Sequence, residues 1–141
     1  LNIHIPLIGE SNFYKNDLSQ ESLYKFQSDA ILKAAKKGNC IFVGRTADYI
    51  LRDFKNTINI FVTADIDQRI KNVCERRKIK CAEARKYIID KEEARASYYN
   101  YYTGKQWGHS ESYDLCINSS LLGIENTEAF IAELIKKRFQ L

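Results

Sequence analysis

The residues best suited to chemistry are the cations concentrated between Arg69 and Arg95. The chain has 141 residues and a net charge of +4, and this segment alone holds ten basic residues against five acidic ones. Arginine presents a planar fork of N–H donors that binds phosphate through two parallel hydrogen bonds. The segment therefore predicts a polyanionic ligand, which could be a polyphosphate or a nucleic acid.

Two interpretations of this segment stay open at the level of residues. Its lysines are also explained as a solvated helix face with ion pairs three or four residues apart. Its arginines, which follow a predicted strand and helix, favour a flap that closes over a polyphosphate. Single-stranded nucleic acid is the alternative, because basic surfaces with aromatic rings bind single strands. The tyrosines just beyond the segment are Tyr98, Tyr99, Tyr101 and Tyr102. At this spacing they cannot share one helix face, so we expect some in the core and some as surface cover.

A second candidate site begins at Gly44, directly after the apolar run Cys40–Val43. A turn that follows a buried strand lies at the carboxyl edge of the sheet, where open α/β folds bind their ligands. Arg45 is therefore a candidate phosphate ligand, although a surface arginine after a turn is the simpler alternative. Asp48 could orient Arg45 or accept a hydrogen bond from a sugar or a base.

The elements that must position these residues alternate along the chain. Short β-branched and aromatic runs bounded by turn formers predict strands at Cys40–Val43, Ile58–Val62 and Leu115–Ile117, with Asn2–Ile5 as a candidate fourth. Apolar residues at helical spacing predict helices over about Leu23–Lys37, Asp65–Arg77, Cys81–Tyr102 and Glu125–Phe139. Strands that alternate with helices favour parallel pairing. We therefore expect an α/β fold with a three-layer architecture, in which helices cover both faces of a parallel sheet.

Composition excludes several classes of protein. The content of 45% hydrophobic and 28% charged residues is typical of a soluble globular domain. No apolar run approaches the roughly 20 residues of a membrane span, and no signal peptide is recognisable, so we expect a cytoplasmic protein without a membrane partner. The four cysteines lack metal-ligand spacing, and Cys40 and Cys116 lie in apolar runs. We expect buried structural thiols and no metal-binding side chains.

Several stretches also occur in a familiar order. The first are Phe42–Arg45, Ile58–Asp65, Arg69 and Glu75–Arg77. They resemble the central part of bacterial cytidylate kinases, where a Gly-Arg-Asp turn follows one strand and a Phe-(Leu/Val)-Thr-Ala strand end leads into an arginine-rich helix. The later stretches are Lys91–Tyr99, Trp107–Gly108 and Tyr113–Ser120. They look like the cytidylate kinase-like family, and the whole resemblance runs from about Asn39 to the C-terminus.

The resemblance implies an ATP-dependent kinase that uses Mg²⁺ and phosphorylates a small acceptor, such as a nucleoside monophosphate. It implies a P-loop NTPase fold, with one domain over residues 1–141 and an arginine-rich helical lid at about residues 76–107. Nucleic acid is then not the expected partner.

The resemblance also implies a role for individual residues. Arg45 would hold the monophosphate of the acceptor, with Asp48 as a second substrate-binding residue. Arg76 and Arg77, at the entrance to the lid, would contact the phosphates of ATP. Arg95, on the far side of the lid, would reach the transferring phosphoryl group, so Arg77 and Arg95 are the predicted catalytic residues.

Two features depart from the kinase pattern. Thr46 stands where cytidylate kinases have Asp, so selectivity for cytosine is not implied. The 141 residues contain no Gly-x-x-x-x-Gly-Lys-Ser/Thr motif, the backbone cradle for ATP phosphates. We expect the domain to lack its first strand and phosphate loop, which would lie N-terminal to Leu1. Two alternatives stay open: a catalytically inactive nucleotide-binding or regulatory module of this fold, and a basic, tyrosine-rich module that binds single-stranded nucleic acid.

Overall fold

A computed structural model describes residues 17–141, so the candidate strand at Asn2–Ile5 lies outside the described residues. The chain divides into two units, residues 1–43 and 44–141. In the first unit, helix α1 spans Asp17–Lys37. It confirms the predicted helix and extends it toward the N-terminus. Lys36 and Lys37 lie in its last turn, where cations interact favourably with the negative end of the helix dipole.

The predicted strand at Cys40–Val43 is wrong. This segment pairs with no strand among residues 17–141, and Ile41 and Val43 are 89% and 90% exposed. A strand needs a neighbour whose backbone groups complete its hydrogen bonds. An apolar run shows only that the side chains could be buried, and in the described residues that neighbour is absent. Cys40 is exposed as a consequence, contrary to the expectation of a buried thiol.

The second unit is mixed α/β and mostly helical. Its elements are helix α2 (Ala47–Ile50), strand β1 (Ile60–Thr63), helix α3 (Ile66–Arg77), helix α4 (Cys81–Thr103), a 3₁₀ turn (Ser110–Ser112), strand β2 (Leu115–Asn118), helix α5 (Ser119–Leu122) and helix α6 (Ile124–Phe139). The two strands form a parallel sheet in which Ile60 lies opposite Leu115 and Thr63 opposite Asn118. The sequence therefore predicted both strands and their parallel pairing correctly.

Helices α3 and α4 form a hairpin around a small apolar core. Ile70 and Val73 of α3 pack with Ala84 and Ile88 of α4, and all four are buried. The hairpin turn begins at Lys78, whose φ of 55° lies in the left-handed region and ends α3. Burial of aliphatic side chains of this size stabilises a fold by about 1.5–3 kcal/mol each, which explains how a strongly charged sequence holds the two helices together.

The structure also corrects another expectation. Cys116 is exposed rather than buried, since β2 alternates between half-buried and exposed side chains and Cys116 lies on its exposed side. Within residues 17–141 no helix is long and apolar enough to cross a membrane.

Candidate functional site

One face of α4 changes character along its length. Residues three and four apart lie above one another on a helix. At this spacing α4 carries Ala84, Ile88, Glu92, Arg95, Tyr99 and Thr103. The first two and the last two residues are buried. The middle of this otherwise buried face is therefore a carboxylate and a guanidinium, which we call the charged centre of α4 (Glu92 and Arg95).

The charged centre borders a cleft of about 230 Å³ at the carboxyl end of β1. Its lining residues are Phe61, Val62, Thr63, Ala64, Arg69, Glu92, Arg95, Trp107 and Ser119. Strand ends, the helix that follows β1 and the central face of α4 thus meet at one place. The carboxyl edge of a parallel sheet is the usual ligand site of α/β folds.

The two arginines that line the cleft differ in whether their guanidinium groups are paired. Arg69 Nη2 lies 2.7 Å from Glu92 Oε1, an ion pair that joins α3 to α4. Both side chains are partly exposed, so the pair contributes less than about 1 kcal/mol to stability. Its clearer effect is to hold the Arg69 guanidinium against the cleft. Arg95 is exposed and has no hydrogen-bond or ion-pair partner among residues 17–141, so its N–H donors are available to a ligand.

Polar side chains join the carboxyl ends of the two strands. The Ser119 hydroxyl donates to the Thr63 carbonyl at 2.9 Å, and the Asn118 amide donates to Asp65 Oδ1 at 2.8 Å. The Asp65 backbone N–H donates to the Ser120 hydroxyl at 2.9 Å. Asp65 makes no capping hydrogen bond to α3, and its carboxylate instead accepts the bond from Asn118 between the strand ends. These bonds fix the floor of the cleft.

An aromatic cluster forms another wall. The Trp107 ring meets the Phe61 ring edge-on, with 5.3 Å between the ring centroids. The centroid of the Tyr113 ring lies 4.9 Å from that of the Phe61 ring. The Trp107 backbone N–H donates to Asn100 Oδ1 at 2.7 Å. Gly108 has a φ of 77°, and a Cβ there would approach Phe61 to 3.3 Å, so this position favours glycine. Trp107 therefore packs the loop after α4 onto β1.

Asp48, a predicted substrate ligand, is engaged by a tyrosine. The Tyr99 hydroxyl donates to Asp48 Oδ2 at 2.6 Å, which joins α2 to α4. Burial, and then this hydrogen bond to Asp48, raise the pKa of Tyr99 far above its usual range. Burial, with a smaller contribution from Asp48, also raises the pKa of Tyr113. Because Oδ2 of Asp48 accepts the hydrogen bond from Tyr99, a substrate would contact Oδ1 of this carboxylate.

Arg45 lies in a turn of unusual backbone geometry. Gly44, Arg45 and Thr46 have φ values of 71°, 59° and 56° in succession. This left-handed conformation is uncommon for arginine and is a genuine outlier for a β-branched residue such as threonine. Thr46 is buried and Arg45 is half-buried. The Arg45 side chain has no partner among the described residues, and it does not line the cleft.

Arg76 and Arg77, the predicted ATP ligands, lie in the last turn of α3 outside the cleft lining. The Arg77 guanidinium lies 4.2 Å from the centre of the Tyr87 ring and donates to its hydroxyl at 3.0 Å. Arg76 is exposed and makes no side-chain interaction within residues 17–141. Of the predicted site residues, the structure therefore brings only Arg95 to the cleft.

The predicted site did not include Arg69 or Glu92, the other two charged residues of the cleft. Of these, Arg69 could have been recognised from the sequence. It is the fourth residue of α3, one turn after the end of β1. A residue in the first turn of a helix that follows a parallel strand lies close to the carboxyl edge of the sheet. This position in the sequence could have identified Arg69 as a site residue. The prediction instead favoured the arginines that cluster farther along the chain.

Comparison with known proteins gives relatives of one kind. The chain is 25% identical over 107 residues to a cytidylate kinase of Ignicoccus hospitalis, covering 76% of this chain and 59% of the relative. It is 32% identical over 103 residues to a cytidylate kinase of Staphylothermus marinus, covering 73% of this chain and 58% of that protein. The chain thus spans less than two thirds of the length of these curated relatives.

A solved structure and a family profile agree with these relatives. An uncharacterized protein from Eubacterium ventriosum superposes with a TM-score of 0.80 and 29% identity, over 84% of this chain and 67% of that one. The profile of the cytidylate kinase-like family matches residues 3–121. Because this match takes in most of the 141 residues, the chain belongs to the cytidylate kinase-like family.

Proposed function

We propose that this chain belongs to an ATP-dependent kinase that phosphorylates a small acceptor, a nucleoside monophosphate in the simplest case. The observation that carries the proposal is the charged centre of α4 at the carboxyl end of β1, where Arg95, which has no partner among residues 17–141, lines the same cleft as Arg69. The names of the curated relatives support the same reaction class.

The chemistry of the cleft suits this reaction. Phosphoryl transfer needs the reactants in line and the developing negative charge stabilised, and it asks for little covalent chemistry from the protein. We propose that Arg95 stabilises the transferring phosphoryl group. Glu92, held at 2.7 Å from Arg69, orients that second guanidinium toward the same anion.

The remaining site residues keep their predicted roles as proposals. Arg45 binds the acceptor monophosphate, and Asp48 contacts its sugar or base. Arg76 and Arg77 contact ATP after the lid, at about residues 76–107, has closed over the cleft. Closure would exclude water that otherwise hydrolyses ATP.

The proposed cofactors are ATP and Mg²⁺. Arg69 and Arg95 fit the phosphates of ATP as hydrogen-bond donors. Residues 17–141 contain no group of three or more His, Cys, Asp or Glu that could hold a metal ion. Magnesium in kinases takes most of its ligands from phosphate oxygens and water, and when bound it neutralises phosphate charge. We propose that the cleft arginines of this chain act on the phosphates.

The proposal includes a larger sheet than the two strands described. Among residues 17–141, β1 pairs with β2 alone, and Val62 of β1 is 52% exposed. We propose that the complete protein adds a parallel strand and a glycine-rich phosphate loop N-terminal to Leu1. A single three-layer P-loop domain would result, with helices on both faces of the sheet.

The tyrosines give little support to the nucleic-acid alternative. Tyr99 is buried and bonded to Asp48, whereas Tyr101 is 73% exposed. The Tyr102 ring contacts both Tyr98 and Tyr101 at centroid distances of 4.8 and 4.9 Å. Rings that pack against one another do not form the open platform on which successive bases stack.

A thermal-shift titration tests the proposed function. The full natural protein is heated with ATP and Mg²⁺, and then with each nucleoside monophosphate added in turn. Ligands that bind the native state raise the Tm by mass action. We expect a rise with ATP that one monophosphate increases further. A rise with ATP alone would favour an inactive nucleotide-binding module, and no rise with any nucleotide would contradict the proposal.

A further inference from the structure

Two thiols lie in contact at the turn of the α3–α4 hairpin. Cys74 is in the last turns of α3 and Cys81 is the first residue of α4, and their Sγ atoms are 3.4 Å apart. Both are free thiols. A disulfide bond is about 2.05 Å long, so the two sulfurs would have to approach by only about 1.4 Å. Side-chain rotation can supply a movement of this size.

The apolar core of the hairpin lies next to the pair. Cys74 packs against the core formed by Ile70, Val73, Ala84 and Ile88. This core holds the two helices together whether or not the sulfurs are bonded, so it keeps the two thiols close to each other.

The two thiols differ in their access to a reagent. Cys81 is exposed, whereas Cys74 is half-buried. Burial, and then the neighbouring Cys81 thiol, raise the pKa of Cys74. The six residues between the two cysteines carry four cations and one acid. These are Arg76, Arg77, Lys78 and Lys80, with Glu75 as the acid. A positive environment of this kind attracts anionic reagents.

We propose that Cys74 and Cys81 are a redox-active pair that forms a reversible intramolecular disulfide by exchange with a small anionic disulfide of the oxidised glutathione type. The exposed Cys81 thiolate attacks one sulfur of that reagent, which forms a mixed disulfide and releases one small thiolate. Cys74, as its thiolate, then attacks the Cys81 sulfur and expels the second small thiol. The protein loses two electrons and two protons, and the small disulfide is reduced to two thiols.

The bond would act on more than the turn. It would tie the end of α3 to the start of α4, and these helices carry Arg69 on one side of the cleft and Glu92 and Arg95 on the other. A cross-link restricts the unfolded chain and so stabilises the folded one. The disulfide would therefore hold the two helices of the hairpin together. This inference does not depend on whether the cleft binds a nucleotide.

The test uses the full protein, reduced and then equilibrated in glutathione buffers of increasing oxidised fraction. Free thiols are trapped with iodoacetamide, and the protein is digested with trypsin. Trypsin separates residues 72–76, with Cys74, from residues 81–85, with Cys81, because basic residues flank both peptides. We expect these two peptides to be recovered linked, two hydrogens lighter than their sum. The oxidised protein should melt roughly 5–10 °C higher than the reduced one.

Matched variants separate the pair from the other two cysteines. The double variant Cys40→Ser, Cys116→Ser keeps the pair and should show the same linked peptides and the same rise in Tm. Cys81→Ser, at an exposed position, should lose both, and Cys74→Ser should do the same. Separate glutathione adducts on Cys74 and Cys81 with no change in Tm would overturn the proposal. A cross-link that involves Cys40 or Cys116 would overturn it as well.

Discussion

The two ends of helix α4 are anchored by different forces. At the N-terminal end, Ala84 and Ile88 are buried against α3 by apolar packing. At the C-terminal end, the Tyr99 hydroxyl donates a hydrogen bond to Asp48 Oδ2 of α2 at 2.6 Å. The charged centre lies between the two anchors.

The two anchors stabilise the helix in different ways. Apolar packing is non-directional, whereas a hydrogen bond requires a defined distance and angle. The C-terminal anchor therefore fixes Arg95 relative to α2 and the Arg45 turn. The N-terminal anchor stabilises the α3–α4 hairpin. Variants at the centre, at each anchor and at the Arg45 turn test this division.

The largest effect is expected at the charged centre. Arg95→Ala removes a charged donor that we place against the transferring phosphoryl group, and kcat should fall by about 100- to 1,000-fold. Steady-state kinetics of ATP-dependent phosphorylation measure it. Lys86→Ala is the matched control, since it removes an exposed cation from the same helix and should leave kcat unchanged. Equal rates for Arg95→Ala and the wild type would remove Arg95 from the mechanism.

The N-terminal anchor should respond chiefly in stability. Ile88→Ala opens a cavity in the α3–α4 core, where Ile88 is 4% exposed, and the free energy of unfolding should fall by about 2–4 kcal/mol. Urea denaturation measures the loss. Ile89→Ala, at the neighbouring half-exposed position, should cost about 0.5 kcal/mol or less. A similar loss in both variants would mean that the hairpin core does not hold the helix.

Arg45→Ala tests the segment that the C-terminal anchor holds in place. Loss of its charged hydrogen bonds should weaken monophosphate binding by roughly 10- to 100-fold, about 1.5–3 kcal/mol, and should leave the Tm nearly unchanged. Calorimetric titration measures the affinity. Arg52→Ala, an exposed arginine stacked on Tyr49 in the same segment, should bind normally. A large fall in Tm with intact binding would show that Arg45 is structural.

Loss of the C-terminal anchor should lower the free energy of unfolding by less than loss of the N-terminal anchor. Tyr99→Phe keeps the ring and removes the hydrogen bond to Asp48, so the free energy of unfolding should fall by about 1–2 kcal/mol. Tyr101→Phe alters an exposed tyrosine on the same helix and should have no measurable effect. No difference between these two variants in urea denaturation would show that the Asp48 contact does not anchor α4.

The smallest effect is a pH dependence of the same anchor. The folded protein raises the pKa of Tyr99, so the fold favours the neutral phenol. Its contribution to stability is complete below the usual tyrosine range near pH 10 and is lost as the pH rises above it. Above about pH 10 the wild type should therefore lose unfolding free energy faster than Tyr99→Phe. Parallel stability curves for the two proteins would contradict the raised pKa.

The sequence predicted the helices well because their signals are local. The apolar spacing in α3 and α4 is regular, and both helices begin and end within one residue of the prediction. The sequence failed at Cys40–Val43, because strand formation depends on a neighbour that the segment itself does not encode. It also could not show that the Asp65 carboxylate accepts a hydrogen bond from Asn118, more than fifty residues away.

The site was predictable only in part for the same reason. Arg95 was singled out by the resemblance to cytidylate kinases, and the structure places it in the cleft. Arg69 was missed, although its place in the first turn of a helix after a predicted strand was an available signal. The Asp48–Tyr99 bond spans 51 residues of sequence, and neither residue type indicates the other as its partner.

Direct observation of phosphoryl transfer tests the central claim that the charged centre of α4 is the reaction site of a kinase. The full natural protein and Arg95→Ala are each incubated with ATP, Mg²⁺ and one nucleoside monophosphate at a time, and the phosphorus NMR spectrum is followed. We predict that ADP and one nucleoside diphosphate appear together with the wild type, and at least about 100 times more slowly with the variant. No diphosphate from any monophosphate, or equal rates for the two proteins, would contradict the claim.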